Sequence, residues 1–286
     1  MECPCWLQLG MAGVVLLLLG AQTESPAQSA SQWRTLASGM DIRVVQSRKQ
    51  TLVGDSKITV LRIDPGRWEL ELIGVFQTGE SGGHTAREWS KKQKYAAAIN
   101  AGMFQTDGKT HLGYLRSGDR VYNGRLNSYQ SVMAFDPRQP GKVAAFRIFD
   151  LDSPGVDLQA ILADYASAVQ NLRLVKHPGL NQWAQQGREW SEAAVGEDSQ
   201  GRVLFIYSRS PFSMHDLNQE LLGAGIGLVA AQHMEGGPEA QLYVHAGDTE
   251  LEMFGSYETA FKESDENSAA WPVPNVIGVR QRATAH

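Results

Sequence analysis

Glycine, asparagine and aspartate recur every few residues along this chain, and the apolar runs between them are short. Runs of this length bounded by turn residues read as strands of an antiparallel meander. Residues 41–46, 58–63, 131–135, 143–148, 172–175, 193–196, 203–207, 226–231, 242–244 and 273–279 all fit that description, as do residues 111–115. The punctuation has its own chemistry. In Asp64-Pro65-Gly66-Arg67, Pro fixes φ and Gly permits φ > 0. Trp68, Leu70 and Leu72 then alternate with Glu69 and Glu71, which makes residues 58–72 a predicted hairpin. Asp198-Ser199-Gln200-Gly201 closes a second one.

Residues 96–104, Ala-Ala-Ala-Ile-Asn-Ala-Gly-Met-Phe, form the run around which a site is expected. The run is apolar and then stops at Asn100 and Gly102, so it reads as a buried strand whose end carries an amide. Gly102 permits φ > 0 or a close ligand approach, and Asn100 offers donors and an acceptor at that rim. A second strand end, residues 232–237, is expected to face it across a cleft. Asn100 has a plainer reading too, as a residue that only closes a turn.

Helices are few. Thr85 with Glu88 forms a capping-box pattern ahead of a short helix through Lys94. Leu158, Ile161, Leu162, Tyr165 and Val169 fall at helical spacing behind Asp157 as N-cap. Ser213 with Asp216 opens a third helix through Leu222. The acidic residues 249–268 read as a surface excursion. The fold class is therefore α+β: largely antiparallel or mixed sheet layers with two to three flanking helices, in a single domain.

Of 286 residues, 42% are apolar and 20% charged, enough for a full core. The formal net charge of -5 carries no basic face of the kind that nucleic acid requires. Residues 7–21 are strongly apolar, too short to span a bilayer comfortably, and small residues follow at Ser25, Ala27 and Ala30. Residues 1–30 thus read as a secretory signal and linker, with 31–286 as the folded domain. Glu2 and the lack of Lys or Arg before the apolar run keep an N-terminal membrane anchor open as the alternative. Both cysteines, Cys3 and Cys5, lie in the leader, so the exported chain would hold no disulfide.

Known catalytic signatures are missing. No Walker loop or dinucleotide fingerprint is present, and the histidines lack metal-ligand spacing. No metal or other cofactor is expected. The glycine-rich residues 79–83 match no phosphate motif and read as a connector.

The order of elements resembles the phosphodiester glycosidase (uncovering-enzyme-like) family over roughly residues 35–282. Asn100-Ala101-Gly102-Met103-Phe104 is similar to that family's Asn-Gly-Gly-Phe-Phe-type motif. Residues 192–207 are similar to its Arg-x-x-Ile/Val-Gly…Gly segment, and Ser213 opens a helix like the one before its Asp-Gly-Gly-x-Ser. Glu235-Gly236-Gly237 falls on that last motif, and residues 272–279 resemble its closing Val-Pro-Asn strand. Four positions depart from the pattern. Glu235 stands for Asp, Glu239 for Ser, Glu192 for Arg (with Arg188 nearby), and Asn171-Leu172-Arg173 for Ser-Gly-Pro. Carboxylates in such places repel a phosphodiester anion.

The resemblance implies an exported hydrolase acting on a sugar-1-phosphate diester or an envelope glycan, through an oxocarbenium-like state at the anomeric carbon. Glu235 is the expected catalytic carboxylate, and His233, two residues before it, an acid/base or an orienting group; a histidine that simply fills a strand face is the plainer reading. Asn100, Gly102, Phe104, Gly236 and Gly237 are expected to position the sugar. Arg116 and Arg188 are expected phosphate clamps, with Arg120 and Arg125 as further candidates, since guanidinium grips such oxygens bidentately. The alternative function is a catalytically degenerate relative that binds a glycan or envelope partner without turnover.

Overall fold

The structure, a computed structural model, describes residues 1–2 and 32–282. The segment read as leader, Cys3 and Cys5 included, lies outside the described residues apart from its first two positions. Among the described residues no helix is long and apolar enough to cross a membrane.

Three antiparallel sheets carry the fold. The first has eight strands in the order β1 (Arg34–Ala37), β2 (Met40–Gln46), β3 (Lys57–Ile63), β14 (Val203–Phe212), β13 (Trp190–Asp198), β15 (Leu228–Gly236), β11 (Arg173–Lys176) and β12 (Leu180–Asn181). The second runs β7 (Arg120–Asn123), β6 (Leu115–Ser117), β10 (Tyr165–Asn171), β8 (Ser131–Pro137), β9 (Phe146–Asp150). The third runs β17 (Thr249–Phe254), β16 (Gln241–Ala246), β5 (Ala97–Asn100), β18 (Asn275–Gln281), β4 (Trp68–Gly74).

The sheets enclose one central core, to which Leu61, Phe205 and Met234 of the first, Met133 and Val169 of the second, and Ile99 and Leu242 of the third all contribute. Each sheet is then covered outside by a helix. Helix α4 (Met214–Gly223) packs Met214, Leu217 and Leu221 on Leu204 and Ile206. Helix α2 (Ala86–Gln93) lays Trp89 on Ala98 and Tyr243. Helix α3 (Leu158–Asp164) sets Leu158 and Ile161 on Val132 and Ala168. A fourth, α1 (Val75–Thr78), is one turn long. Strands covered on both faces have no polar side, which is why residues 97–99 of β5 and 203–207 of β14 read as unbroken apolar runs. Ala97 and Ile99 face the central core and Ala98 the helix side.

The α+β class holds, with four short α-helices among the described residues. Local signals were accurate where their partners are local. Thr85 accepts from Glu88 N while Glu88 reaches back, as a capping box requires. The β13–β14 hairpin turns at Asp198–Gly201 as expected, with Gly201 N bonded to Asp198 O.

Three expectations fail for tertiary reasons. The turn at Asp64 forms, but β3 and β4 enter different sheets, because β2 and β14 already occupy both edges of β3. The helix begun at Asp157 stops at Asp164 rather than running through Val169. Tyr165 is extended, and β10 pairs along its whole length with β8. Ala168 faces the outer cluster and Val169 the central core, so a strand buried on both sides mimics helical spacing. Residues 249–254 are not a surface excursion but β17, paired residue for residue with β16.

Candidate active site

β15 lies inside the first sheet, between β13 and β11, and its last residues form the floor of a cleft of about 430 Å³. Its register against β13 slips: Ala193 faces Glu235, yet Ala194 faces His233. Such a bulge re-aims side chains beside it and is common next to functional sites. Met234, the extra residue, plugs the central core, while His233 and Glu235 both line the cleft.

His233 is 4% exposed and half of a buried pair. Its Nδ1 lies 2.6 Å from Oε1 of Glu192, itself 1% exposed. The other Glu192 oxygen accepts from Trp190 Nε1 at 2.7 Å, and His233 N donates to Leu172 O. This places the Nδ1 proton against Glu192 and leaves Nε2 for the cleft. Burial alone would lower the His233 pKa; Glu192, then Glu235 and Glu258, outweigh it and raise the value. Glu192→Gln is therefore expected to drop the His233 pKa below the ordinary 6.5, since burial would then act with far less opposition. Titration of the ring by NMR reads this directly, and an unmoved midpoint would refute the pairing.

Glu235 is half-buried in the recess. Burial pushes its pKa up to about 8, against the pull of His233 and the Gly236 N–H, with Glu239 and Glu192 adding to the rise. Glu239 and Glu258 are shifted up as well, each by burial first, and Glu258 adds repulsion at Glu239. Phe104, Trp183, Trp190 and Phe261 supply aromatic walls. No Lys or Arg lines this cleft among the described residues. Nor is any group of three or more His, Cys, Asp or Glu among them placed to hold a metal ion.

The other residues singled out from the sequence have definite places. Gly236 lies against the Trp190 ring, where a Cβ would stand 2.8 Å from Cδ1. Gly237 sits at φ +60, with Glu258 Oε2 2.7 Å from where a Cβ would be. Phe104 lines the cleft and bridges to His111. Gly102, at φ +134, is pressed against Asn171 and His111. Asn100 does not open on the cleft. Its Nδ2 donates to Glu239 O at 2.8 Å and its Oδ1 accepts from Gln241 N at 2.7 Å, so it braces the corner that carries Glu239. Arg116 lies on β6, donating to Gly118 O and Leu162 O, and Arg188 is exposed; neither lines the cleft.

Sequence reasoning missed Glu258 and the two tryptophans. Glu258 is delivered by a single bridge to Trp190, far away in the chain, and no local spacing announces it. Glu192 was visible only as a departure; the histidine it holds is 41 residues away.

The scaffold is thus an antiparallel α+β fold that ends a central strand on a carboxylate–histidine cleft. The chain belongs to the phosphodiester glycosidase family, whose model matches residues 93–280. Among solved structures, it is similar to the catalytic domain of zebrafish N-acetylglucosamine-1-phosphodiester alpha-N-acetylglucosaminidase, auto-inhibited by its pro-peptide. The TM-score is 0.61 at 12% identity, covering 88% of this chain and 87% of that one. A hypothetical protein from Synechocystis aligns with a TM-score of 0.57 at 16% identity, over 86% of this chain and 62% of the other. At these identities the likeness is one of fold. No curated protein matches the sequence.

Proposed function

We propose that this chain is an exported hydrolase that cleaves a glycosidic bond at an anomeric carbon in an envelope glycan, with Glu235 as the proton donor. The observation that carries this is the placement of Glu235 in an aromatic-walled recess beside the His233–Glu192 pair, where burial pushes its pKa up to about 8. A proton held there is useful against a poor leaving group such as an alkoxide. Glu235 passes it to the leaving oxygen as the C1–O bond breaks. The neighbouring carboxylates stabilise the oxocarbenium-like cation. Water then adds to C1, and its proton returns to Glu235. His233, held by Glu192, turns its Nε2 toward the sugar. The apolar run in residues 7–21 supports export.

A sugar-1-phosphate diester is the second substrate reading. It needs cations to hold the departing phosphate, and His233 is the one candidate cation lining the cleft among the described residues. The third reading is binding without turnover, favoured by Glu192 and Glu239 in place of the Arg and Ser of the family's pattern. A panel of nitrophenyl glycosides and alkyl sugar-1-phosphodiesters separates the three. Turnover of the glycosides well above the phosphodiesters is expected. The reverse order supports the phosphodiester, and binding with no turnover of either class supports the binding module.

A further inference from the structure

We propose that the sugar this cleft selects is a hexosamine with a free ammonium group, seated between Glu239 and Glu258 with its ring against Trp183 and Trp190. The inference rests on the reading of this cleft as a glycan site and names the charge of its ligand. Three carboxylates, Glu235, Glu239 and Glu258, converge on one recess. The single histidine that faces them is already committed through Nδ1 to Glu192. Of the cations on neighbouring elements, Arg188 is exposed, Lys262 lies over the Trp271 ring, and two more are engaged in ion pairs. Lys49 is held by Glu189 at 2.7 Å and Asp216 at 2.5 Å, and Arg173 by Asp152 at 2.6 Å and Asp150 at 3.3 Å. Glu239 and Glu258 therefore face the recess with no Lys or Arg lining it, among the described residues, to neutralise them.

A second observation points the same way. His233 is 4% exposed, lines the cleft, and its Nε2 has no partner among the described residues. It awaits a hydroxyl or ring oxygen, as a sugar provides. Flat indole faces suit the apolar face of a pyranose ring, and they attract a cation as well. An N-acetyl group would occupy the ammonium's place with a neutral amide and leave the carboxylates unpaired. A phosphodiester would add a further negative charge beside them. Burial raises the pKa of both Glu239 and Glu258, with Glu258 adding repulsion at Glu239 only, so each is a carboxylate short of solvent that a cation would favour.

Calorimetric titration of the full chain at pH 6 with a β-1,4-linked glucosamine tetramer, its fully N-acetylated counterpart, cellotetraose and methyl N-acetylglucosamine-1-phosphate tests this. The glucosamine tetramer is expected to bind about tenfold or more tighter than the other three. That advantage should shrink to within about twofold in Glu239→Gln and Glu258→Gln, and fall with added salt. Thermal melts of both variants confirm folding, and a raised Tm at neutral pH is expected as the cost of burying a carboxylate is removed. Equal or tighter binding of the acetylated tetramer or the phosphate ester overturns the ammonium assignment and leaves the glycan site standing. So does an advantage that survives both substitutions, which would be charge attraction to the acidic surface at large. Binding of none of the four overturns the glycan reading itself.

Discussion

Glu235→Gln is expected to lower kcat on any glycoside the protein turns over by about 10²–10⁴-fold, the usual worth of a positioned proton donor. The wild-type rate should also fall as pH passes about 8, where the donor loses its proton. Stability provides an independent reading that needs no substrate. The folded carboxyl titrates near 8, against an ordinary value of 4.5. Below pH 4.5 folded and unfolded chains both hold the proton, and Glu235 contributes no pH dependence. Between 4.5 and about 8 the folded chain holds more protons than the unfolded one, so its stability declines as pH rises. Above 8 both are ionised and the decline ends. The glutamine variant lacks this slope and should melt higher than wild type at pH 8 while matching it near pH 4. A domain of this size shifts about 2–4 °C per kcal/mol, so the difference is within reach of calorimetry. Parallel Tm–pH curves for the two proteins would show that Glu235 is an ordinary solvated acid and remove it from the proposed chemistry.

Gly102→Ala should be a strongly damaging single-methyl change near the site. At φ +134 an alanine is strained by about 1–3 kcal/mol. The new Cβ would also lie 2.5 Å from His111 Cε1 and hard against Asn171 Oδ1. Asn171 cannot retreat freely, because its Nδ2 is bonded to Ala101 O at 3.2 Å and lies 3.3 Å from Met234 Sδ. Breaking that buried contact adds about 1–3 kcal/mol. A Tm loss of about 5–15 °C follows for a domain of this size. The shift should travel to the cleft through Met234, which sits between His233 and Glu235. A variant that melts within a degree or two of wild type would mean the loop has room that the geometry denies it.

What the sequence disclosed depends on how far each partner lies. Thr85 and Glu88, or Asp198 and Gly201, meet within four residues, and their roles were legible from spacing alone. Asp157 announced the start of α3 just as clearly. Its end was illegible, because Tyr165 and Val169 obey β8, more than two dozen residues away. Asn100 is the sharpest case. Its type and place suggested a lip of the cleft, yet its amide is bonded to the backbone of residues 239 and 241. Polar groups at strand ends can serve a ligand or the chain, and spacing does not distinguish the two. Glu192 looked like a lost arginine until the fold set it on His233. The family motifs carried the cleft's position; the charges inside it could be assigned only once β13 and β15 were side by side.

The third sheet has a consequence for biosynthesis. One inner strand, β18, separates β5 from β4 and comes from residues 275–281. Until those residues leave the ribosome, residues 68–74 and 97–100 lack the neighbour that joins them, and the shared interior stays open on one side. Pairings between such distant stretches form late and slowly. A nascent chain of this kind stays pliable until those residues emerge, which would suit the export proposed for it.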